Sequence, residues 1–90
     1  MPIQTYAIIP KIDLIERISS SRLQELEGVR EYEPAGREGR GIIYHYNNCT
    51  LAVNNSQGTY PLQIFGKTKE AIDEDARKFS EGLEIQLKAV

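Results

Sequence analysis

The middle of the chain decides the fold, and residues 41–66 read GIIYHYNNCTLAVNNSQGTYPLQIFG. Three short runs rich in β-branched and aromatic residues alternate with two clusters of turn-forming residues. The first cluster is Asn47-Asn48, and the second extends from Asn54 to Gly58. Asparagine and glycine tolerate the backbone conformations that tight hairpins require. The stretch therefore predicts a three-stranded antiparallel meander.

The segments outside the meander predict three more strands and two helices. Residues 3–9 suit a first strand that stops at Pro10, because proline cannot donate to a strand ladder. Residues 29–33 suit a short edge strand, and a flexible glycine-rich loop follows at residues 34–41. Residues 83–90 alternate apolar and polar side chains with the period of a strand. The predicted order is β-α-β-β-β-β-α-β, which is an α+β domain.

The first helix is expected to begin after Asp13, because Asp13 and Glu16 have the spacing of a capping box. Apolar residues with helical spacing follow. The serine run at residues 19–21 is expected to kink the helix or to divide it in two, with Ser21 capping the second piece. Gly28 would then close the segment in a left-handed conformation.

The second helix is expected to begin after Thr68, a good N-cap residue. Ile72, Ala76 and Phe79 share one helical face and predict the contact with the core. Gly82 is expected to end this helix.

Composition limits the class of protein. The 90 residues form one domain, and the net charge of −2 gives no global basic signal for nucleic acid. Cys49 is the single cysteine, which excludes an intrachain disulfide and a thiolate zinc site within one chain. We expect a reducing, cytoplasmic environment, no signal peptide and no membrane span, because apolar runs stay far below about 20 residues.

Strand alternation predicts which side chains face the helices and which form an open face. In the meander, the residues expected to face the helices are Ile42, Tyr44, Tyr46, Leu51, Val53, Tyr60, Leu62 and Ile64. The residues expected to face outward are Ile43, His45, Asn47, Thr50, Ala52, Asn54, Pro61, Gln63 and Phe65. An antiparallel sheet with one uncovered face is common, so the second set is the candidate binding surface.

Individual residues give little support for catalysis. His45 is the single histidine, and its neighbours in sequence supply neither a nucleophile nor an orienting acid. The Gly66-Lys67 segment lacks the first glycine of a phosphate-binding loop, although Lys67 at a helix start could hold one anion. Cys49 lies in a turn without a nearby cation, so a reactive thiolate is not expected. The acidic residues at 70–75 are expected to form a solvated helix face.

Five short segments, in order and spacing, resemble one repeat of the TATA-binding protein. They are Ile12-Asp13-Leu14, Glu31-Tyr32-Glu33-Pro34, Gly41-Ile42-Ile43-Tyr44-His45, Asn55-Ser56-Gln57-Gly58 and Gly66-Lys67-Thr68-Lys69-Glu70. The resemblance covers residues 3–80. It implies a curved antiparallel sheet with two helices on one face, in other words half of a saddle whose concave face is open.

The resemblance also has limits. The family inserts phenylalanine wedges between bases, whereas the matching regions of this chain carry Arg40 and Asn54 or Asn55, which cannot wedge base pairs apart. Bending of a TATA box is therefore not expected. A single repeat would complete a saddle as a two-fold homodimer. The last segment, residues 83–90, would pair either with its own first strand or with a neighbouring subunit.

The sequence thus predicts a small non-catalytic binding module, without cofactor or metal, that acts through its open sheet face. Nucleic acid is the first candidate partner, with Arg37, Arg40, Lys67 and Lys69 as a local basic cluster for phosphate. The alternative is a protein-binding or inhibitor-like module that uses the face or a sheet edge. The candidate binding residues are Arg37, Arg40, Ile43, His45, Asn47, Asn54, Gln63, Phe65 and Lys67.

Overall fold

A computed structural model describes residues 2–33, 39–55 and 60–90. The described residues form six strands and two helices in the predicted order. The elements are β1 (Ile3–Ile9), α1 (Leu14–Ser20), β2 (Leu26–Tyr32), β3 (Gly41–Tyr46), β4 (Cys49–Asn54), β5 (Leu62–Phe65), α2 (Lys69–Leu83) and β6 (Gln86–Ala89). The predicted α+β class is confirmed.

All six strands form one open antiparallel sheet in the order β2-β3-β4-β5-β1-β6. The predicted meander is confirmed, since β3 pairs with β4 and β4 pairs with β5. Its register sets Tyr44 opposite Leu51 and Leu51 opposite Ile64. Residues that are paired in this way lie on the same face of the sheet, so one row of large side chains crosses three strands.

The last strand, β6, pairs antiparallel with β1, so that Tyr6 lies opposite Ala89 and Ile9 lies opposite Gln86. This confirms one of the two predicted alternatives, namely that the end of the chain pairs with its own first strand. As a result, β6 and β2 are the two edges of the sheet.

The core lies between the two helices and one face of the sheet. Six of the residues predicted to face the core are at most 1% exposed, namely Leu51, Val53, Leu62, Ile64, Ile72 and Phe79. The Phe79 ring on α2 meets the Tyr46 ring on β3 edge to face, with ring centroids 5.8 Å apart. Tyr6 and Ile8 of β1 are also buried, as their alternation predicts.

Both predicted N-caps are confirmed. The Asp13 carboxylate accepts a hydrogen bond from the backbone N–H of Glu16 at 3.2 Å. The Thr68 hydroxyl accepts one from the backbone N–H of Ala71 at 3.1 Å. Each cap satisfies a backbone donor that the first turn of its helix leaves without a partner.

The serine run ends the first helix and does not divide it. The Ser19 and Ser20 hydroxyls donate back to carbonyls four residues earlier, and Ser21 follows as an extended C-cap. The predicted second piece is wrong, because the chain turns at Glu25 (φ 62°) and enters β2 one residue later. The prediction for Gly28 is also wrong, since Gly28 lies within β2, where pairing with β3 determines its backbone.

Gly82 does not end the second helix, which continues to Leu83 and closes with Glu84 in the left-handed conformation (φ 56°). Glycine is found at position 82 for a different reason, which is the close packing of another side chain. A Cβ atom at position 82 would come within 2.5 Å of Leu23 Cδ2, so a side chain there would displace this leucine from its position on the end of α2. The segment between α1 and β2 therefore lies directly on the second helix.

The prediction that Tyr60 faces the helices is wrong, because its side chain is 49% exposed and does not enter the core. Strand β5 begins only at Leu62, so strand alternation does not extend back to residue 60. The predicted loop at residues 34–41 lies mostly outside the described residues, and Gly41 already belongs to β3.

Candidate functional surface

The face of the sheet opposite the helices, called the open face below, carries two rows of side chains that extend from β2 to β1, and Lys88 of β6 lies on the same face opposite Ala7. The register of the strands defines both rows. The first row, from β2 to β1, is Arg30, Ile43, Ala52, Gln63 and Thr5. The second row is Glu27, His45, Thr50, Phe65 and Ile3.

The centre of the open face is apolar or neutral. Ile43 and Phe65 are half-buried, and Ala52 between the rows is only 6% exposed. The Gln63 amide donates to the Thr5 hydroxyl at 3.4 Å, which links β5 to β1 across this face. At one end of the second row Ile3 is 56% exposed. Formal charge in the two rows lies on β2, at Glu27 and Arg30.

Four of the predicted binding residues lie on the open face, namely Ile43, His45, Gln63 and Phe65. Asn54, the last residue of β4, is only 8% exposed, and its amide donates to the Tyr60 carbonyl at 3.2 Å. This bond joins the end of β4 to the residues before β5. Asn54 therefore stabilises the hairpin, and a ligand would reach little of its side chain.

Asn47 does not extend the open face, which corrects its predicted orientation. It takes the left-handed conformation (φ 52°) in the β3–β4 turn. Its amide donates to Asp75 Oδ1 at 2.6 Å, and the backbone N–H of Asn48 donates to Asp75 Oδ2 at 3.0 Å. Because Asp75 belongs to α2, the turn is bound to the helix side of the sheet.

Asp75 is the important residue that sequence reasoning assigned to a solvated face. It is 0% exposed, and both of its oxygens accept hydrogen bonds from the β3–β4 turn. A signal was present in the sequence, since Asp75 lies three residues after Ile72 and one before Ala76, on the apolar side of α2. A buried carboxylate requires such partners, because an unpaired charge in the interior is costly.

Cys49 begins β4 beside this carboxylate and is buried. Burial raises the pKa of the thiol from 9.0 to about 12, with further contributions from a hydrogen bond to Asp75 and from its negative charge. The thiol also lies 3.6 Å from the carbonyl oxygen of Ala71. At neutral pH the group is a protonated thiol, which agrees with the expectation that it is not a reactive thiolate.

The predicted basic cluster does not form around Arg40 and Lys67. Arg40 precedes Gly41, which pairs with the last residue of β4, whereas Lys67 follows Phe65, which pairs with the second residue of β4. At about 3.3 Å per strand residue, the backbones of the two residues lie on the order of 20 Å apart, at opposite ends of the strands. They cannot contact one phosphate together.

The other predicted basic residues add little to this surface. Arg37 lies outside the described residues. The Arg40 guanidinium donates to one oxygen of Glu31 at 2.7 and 3.0 Å, so its charge is already paired, although both side chains are exposed. Lys67 and Lys69 are exposed at the start of α2, away from the centre of the open face.

A separate cleft of about 590 Å³ lies beside the end of the sheet where β1 leads into α1. Its described lining residues are Ala7, Ile8, Lys11, Ile12, Asp13, Asn54, Asn55, Tyr60 and Pro61. Asp13 caps α1, and the amides of Asn54 and Asn55 bind neighbouring backbone atoms. Because these polar groups already have partners, the cleft offers little chemistry to a ligand beyond Lys11 and the exposed Tyr60.

Across residues 2–33, 39–55 and 60–90, no group of three or more His, Cys, Asp or Glu side chains could hold a metal ion. Among the described helices, none is both long and apolar enough to cross a membrane. Comparisons with protein-family models, with curated proteins and with solved structures found no match. The resemblance to a repeat of the TATA-binding protein therefore stays a prediction.

Proposed function

We propose that this chain is a non-catalytic binding module that takes a partner protein on its open face. The observation that carries the proposal is the composition of this face, in which Ile43, Ala52 and Phe65 form an apolar centre and the charged residues lie on the two edge strands, β2 and β6. Protein interfaces have the same pattern, with an apolar centre poor in charge and a polar rim.

The distribution of charge favours a protein over nucleic acid. Nucleic-acid surfaces gather lysine and arginine, because phosphate contacts supply most of the affinity. On the open face, Arg30 is accompanied by Glu27, and Lys88 lies on the opposite edge strand, so the cations are not gathered. Arg40 is already paired with Glu31. We therefore place the predicted alternative, a partner protein, first and nucleic acid second. A single cysteine, which can form no intrachain disulfide, agrees with the expected cytoplasmic location.

Single-stranded nucleic acid is the second candidate, and one observation favours it. His45 and Phe65 lie in the same row with Thr50 between them, and bases can stack on aromatic rings spaced along a sheet. A half saddle similar to a TATA-binding protein repeat would present this row on its concave side. The two candidates use the same residues and differ in their dependence on salt.

The test uses immobilised wild-type protein and the Phe65→Asp variant, with Gln24→Asp as a control that adds the same charge in an exposed turn. From a native lysate treated with nuclease, we expect wild type and Gln24→Asp to retain a protein that Phe65→Asp does not. In parallel, mixed-sequence single-stranded DNA and RNA are titrated at low and high salt. Tight, salt-dependent binding that Phe65→Asp removes would replace the first candidate by the second.

Equal retention by all three proteins would contradict a role for the open face with either partner. Circular dichroism and urea unfolding of each variant show that the comparison is between folded proteins. Because Phe65 lies outside the core, Phe65→Asp should remain folded.

A further inference from the structure

The outer edge of β2 is the longer of the two sheet edges and has no partner among the described residues. Strand β2 pairs with β3 alone and spans seven residues, against four for β6 at the other edge. The residues from Glu27 to Glu31 are all exposed, including Val29 at 47%. An exposed edge of this length can pair with another strand through its free backbone groups.

An irregularity in β2 gives this edge an unusual arrangement of charge. Gly28 lies opposite Tyr44 and Arg30 lies opposite Ile43, so Val29 is an extra residue in the strand. In a regular strand, residues three apart point to opposite faces. The extra residue instead sets Glu27 and Arg30 on the same face, where they lie opposite His45 and Ile43.

The charges of Glu27 and Arg30 are available to a partner. In the part of the chain that the structure describes, neither residue makes an ion pair. The third charged residue of the strand, Glu31, is already bound by the Arg40 guanidinium. One acidic and one basic side chain thus remain on the same face of the same edge.

We propose that β2 pairs antiparallel with β2 of a second copy of this chain, about a two-fold axis between Gly28 and Val29. In this register Glu27 lies opposite Arg30 of the second copy, and the symmetry repeats the pair. Cross-strand pairs of opposite charge stabilise a sheet, whereas like charges directly opposite destabilise it. The proposal concerns the β2 edge of the sheet, and it does not depend on the partner proposed for the open face.

Within β2, no other two-fold register sets an acidic residue opposite a basic residue of the same face, which selects this one. If Val29 lies opposite itself, Glu27 lies opposite Glu31, whose pairing with Ile42 sets it on the other face of the sheet. If Arg30 lies opposite itself, two guanidinium groups meet. The β6 edge offers no equivalent, because Lys88 is the one charged residue in Gln86–Ala89 and no acid of that strand can face it.

Charge reversal tests the proposal with variants of the full chain. Sedimentation should give wild type about twice the 10.2 kDa mass. Glu27→Arg sets two pairs of arginines opposite each other, and Arg30→Glu sets two pairs of glutamates opposite each other. The dissociation constant of each single-variant dimer should therefore be at least about tenfold higher than that of wild type, because two charge pairs are reversed.

Mixing the two single variants should restore the dimer, because a heterodimer again sets Arg opposite Glu at both places. The double variant should also dimerise by itself. Lys88→Glu on the β6 edge is the matched control and should dimerise like wild type. The proposal is overturned if wild type is a monomer at hundreds-of-micromolar concentration, if both single variants remain dimers, or if their mixture forms no heterodimer. Recovery on mixing also excludes misfolding of the single variants.

Discussion

The two faces of the sheet use the same strands for different purposes. On the helix side, Leu51, Val53, Leu62 and Ile64 are fully buried under α1 and α2. On the open face, the side chains between them on the same strands are small, neutral or only half-buried, as at Thr50 and Phe65. The comparison shows that one face supplies the stability of the fold, which leaves the other free to vary with function.

The largest expected effect concerns the helix side. Phe79→Ala removes a fully buried ring that packs against Tyr46, so it should lower the free energy of unfolding by about 3–5 kcal/mol. Urea unfolding followed by circular dichroism measures this. A midpoint close to that of wild type would mean that α2 does not cover this face as described.

A smaller effect tests the bond between the β3–β4 turn and α2. Asp75→Ala leaves the Asn47 amide and the Asn48 N–H without their acceptor, and we expect a loss of about 1–3 kcal/mol. Asp73→Ala, an exposed aspartate of the same helix, is the control and should change stability by less than about 0.5 kcal/mol. Similar losses for the two variants would show that Asp75 is solvated, as first expected.

The Cys49 thiol gives a smaller effect that appears only at alkaline pH. Its pKa is about 12 in the fold and 9.0 without the burial, so the unfolded chain loses the proton first as pH rises. The contribution of this thiol to the free energy of unfolding is therefore fully present below pH 9. Above pH 9 it falls by about 1.4 kcal/mol per pH unit.

Cys49→Ala isolates that contribution, because the buried tyrosines titrate in the same range and their pKa values are raised in the same direction. The difference in unfolding free energy between wild type and Cys49→Ala should be constant below pH 9 and shrink above it. A difference that stays constant to pH 11 would contradict the burial of this thiol. Slow reaction of the folded protein with a thiol reagent at pH 8 is a second expected result.

Alternation and capping chemistry were sufficient to predict the element order and the core. Patterns within short stretches of sequence are enough to predict the meander, the caps at Asp13 and Thr68 and the buried face. The errors at Gly28 and Gly82 have a common cause. Glycine permits both a left-handed turn and a close approach of another segment, and only the tertiary packing of Leu23 shows which applies at residue 82.

The candidate surface was less predictable, because it depends on register. Residues 43, 45, 63 and 65 could be assigned to the open face by alternation within single strands. The distance between Arg40 and Lys67 could not be predicted in this way, since it depends on how three strands align. The extra residue at Val29, which brings Glu27 and Arg30 to one face, follows Gly28, and a glycine within a strand often marks such an irregularity. Sequence reasoning assigned this glycine to a helix end.

Adjacent residues on β5 test the division between the two faces most directly. Ile64 is 0% exposed on the helix side, and Phe65 follows it on the open face. Urea midpoints of Ile64→Ser and Phe65→Ser should be measured side by side with wild type. We predict that Ile64→Ser loses several kcal/mol, because it is a buried large-to-small change that adds a polar group, whereas Phe65→Ser, at a half-buried site, loses about 1–2 kcal/mol. Equal losses, or a larger loss for Phe65→Ser, would contradict an open face.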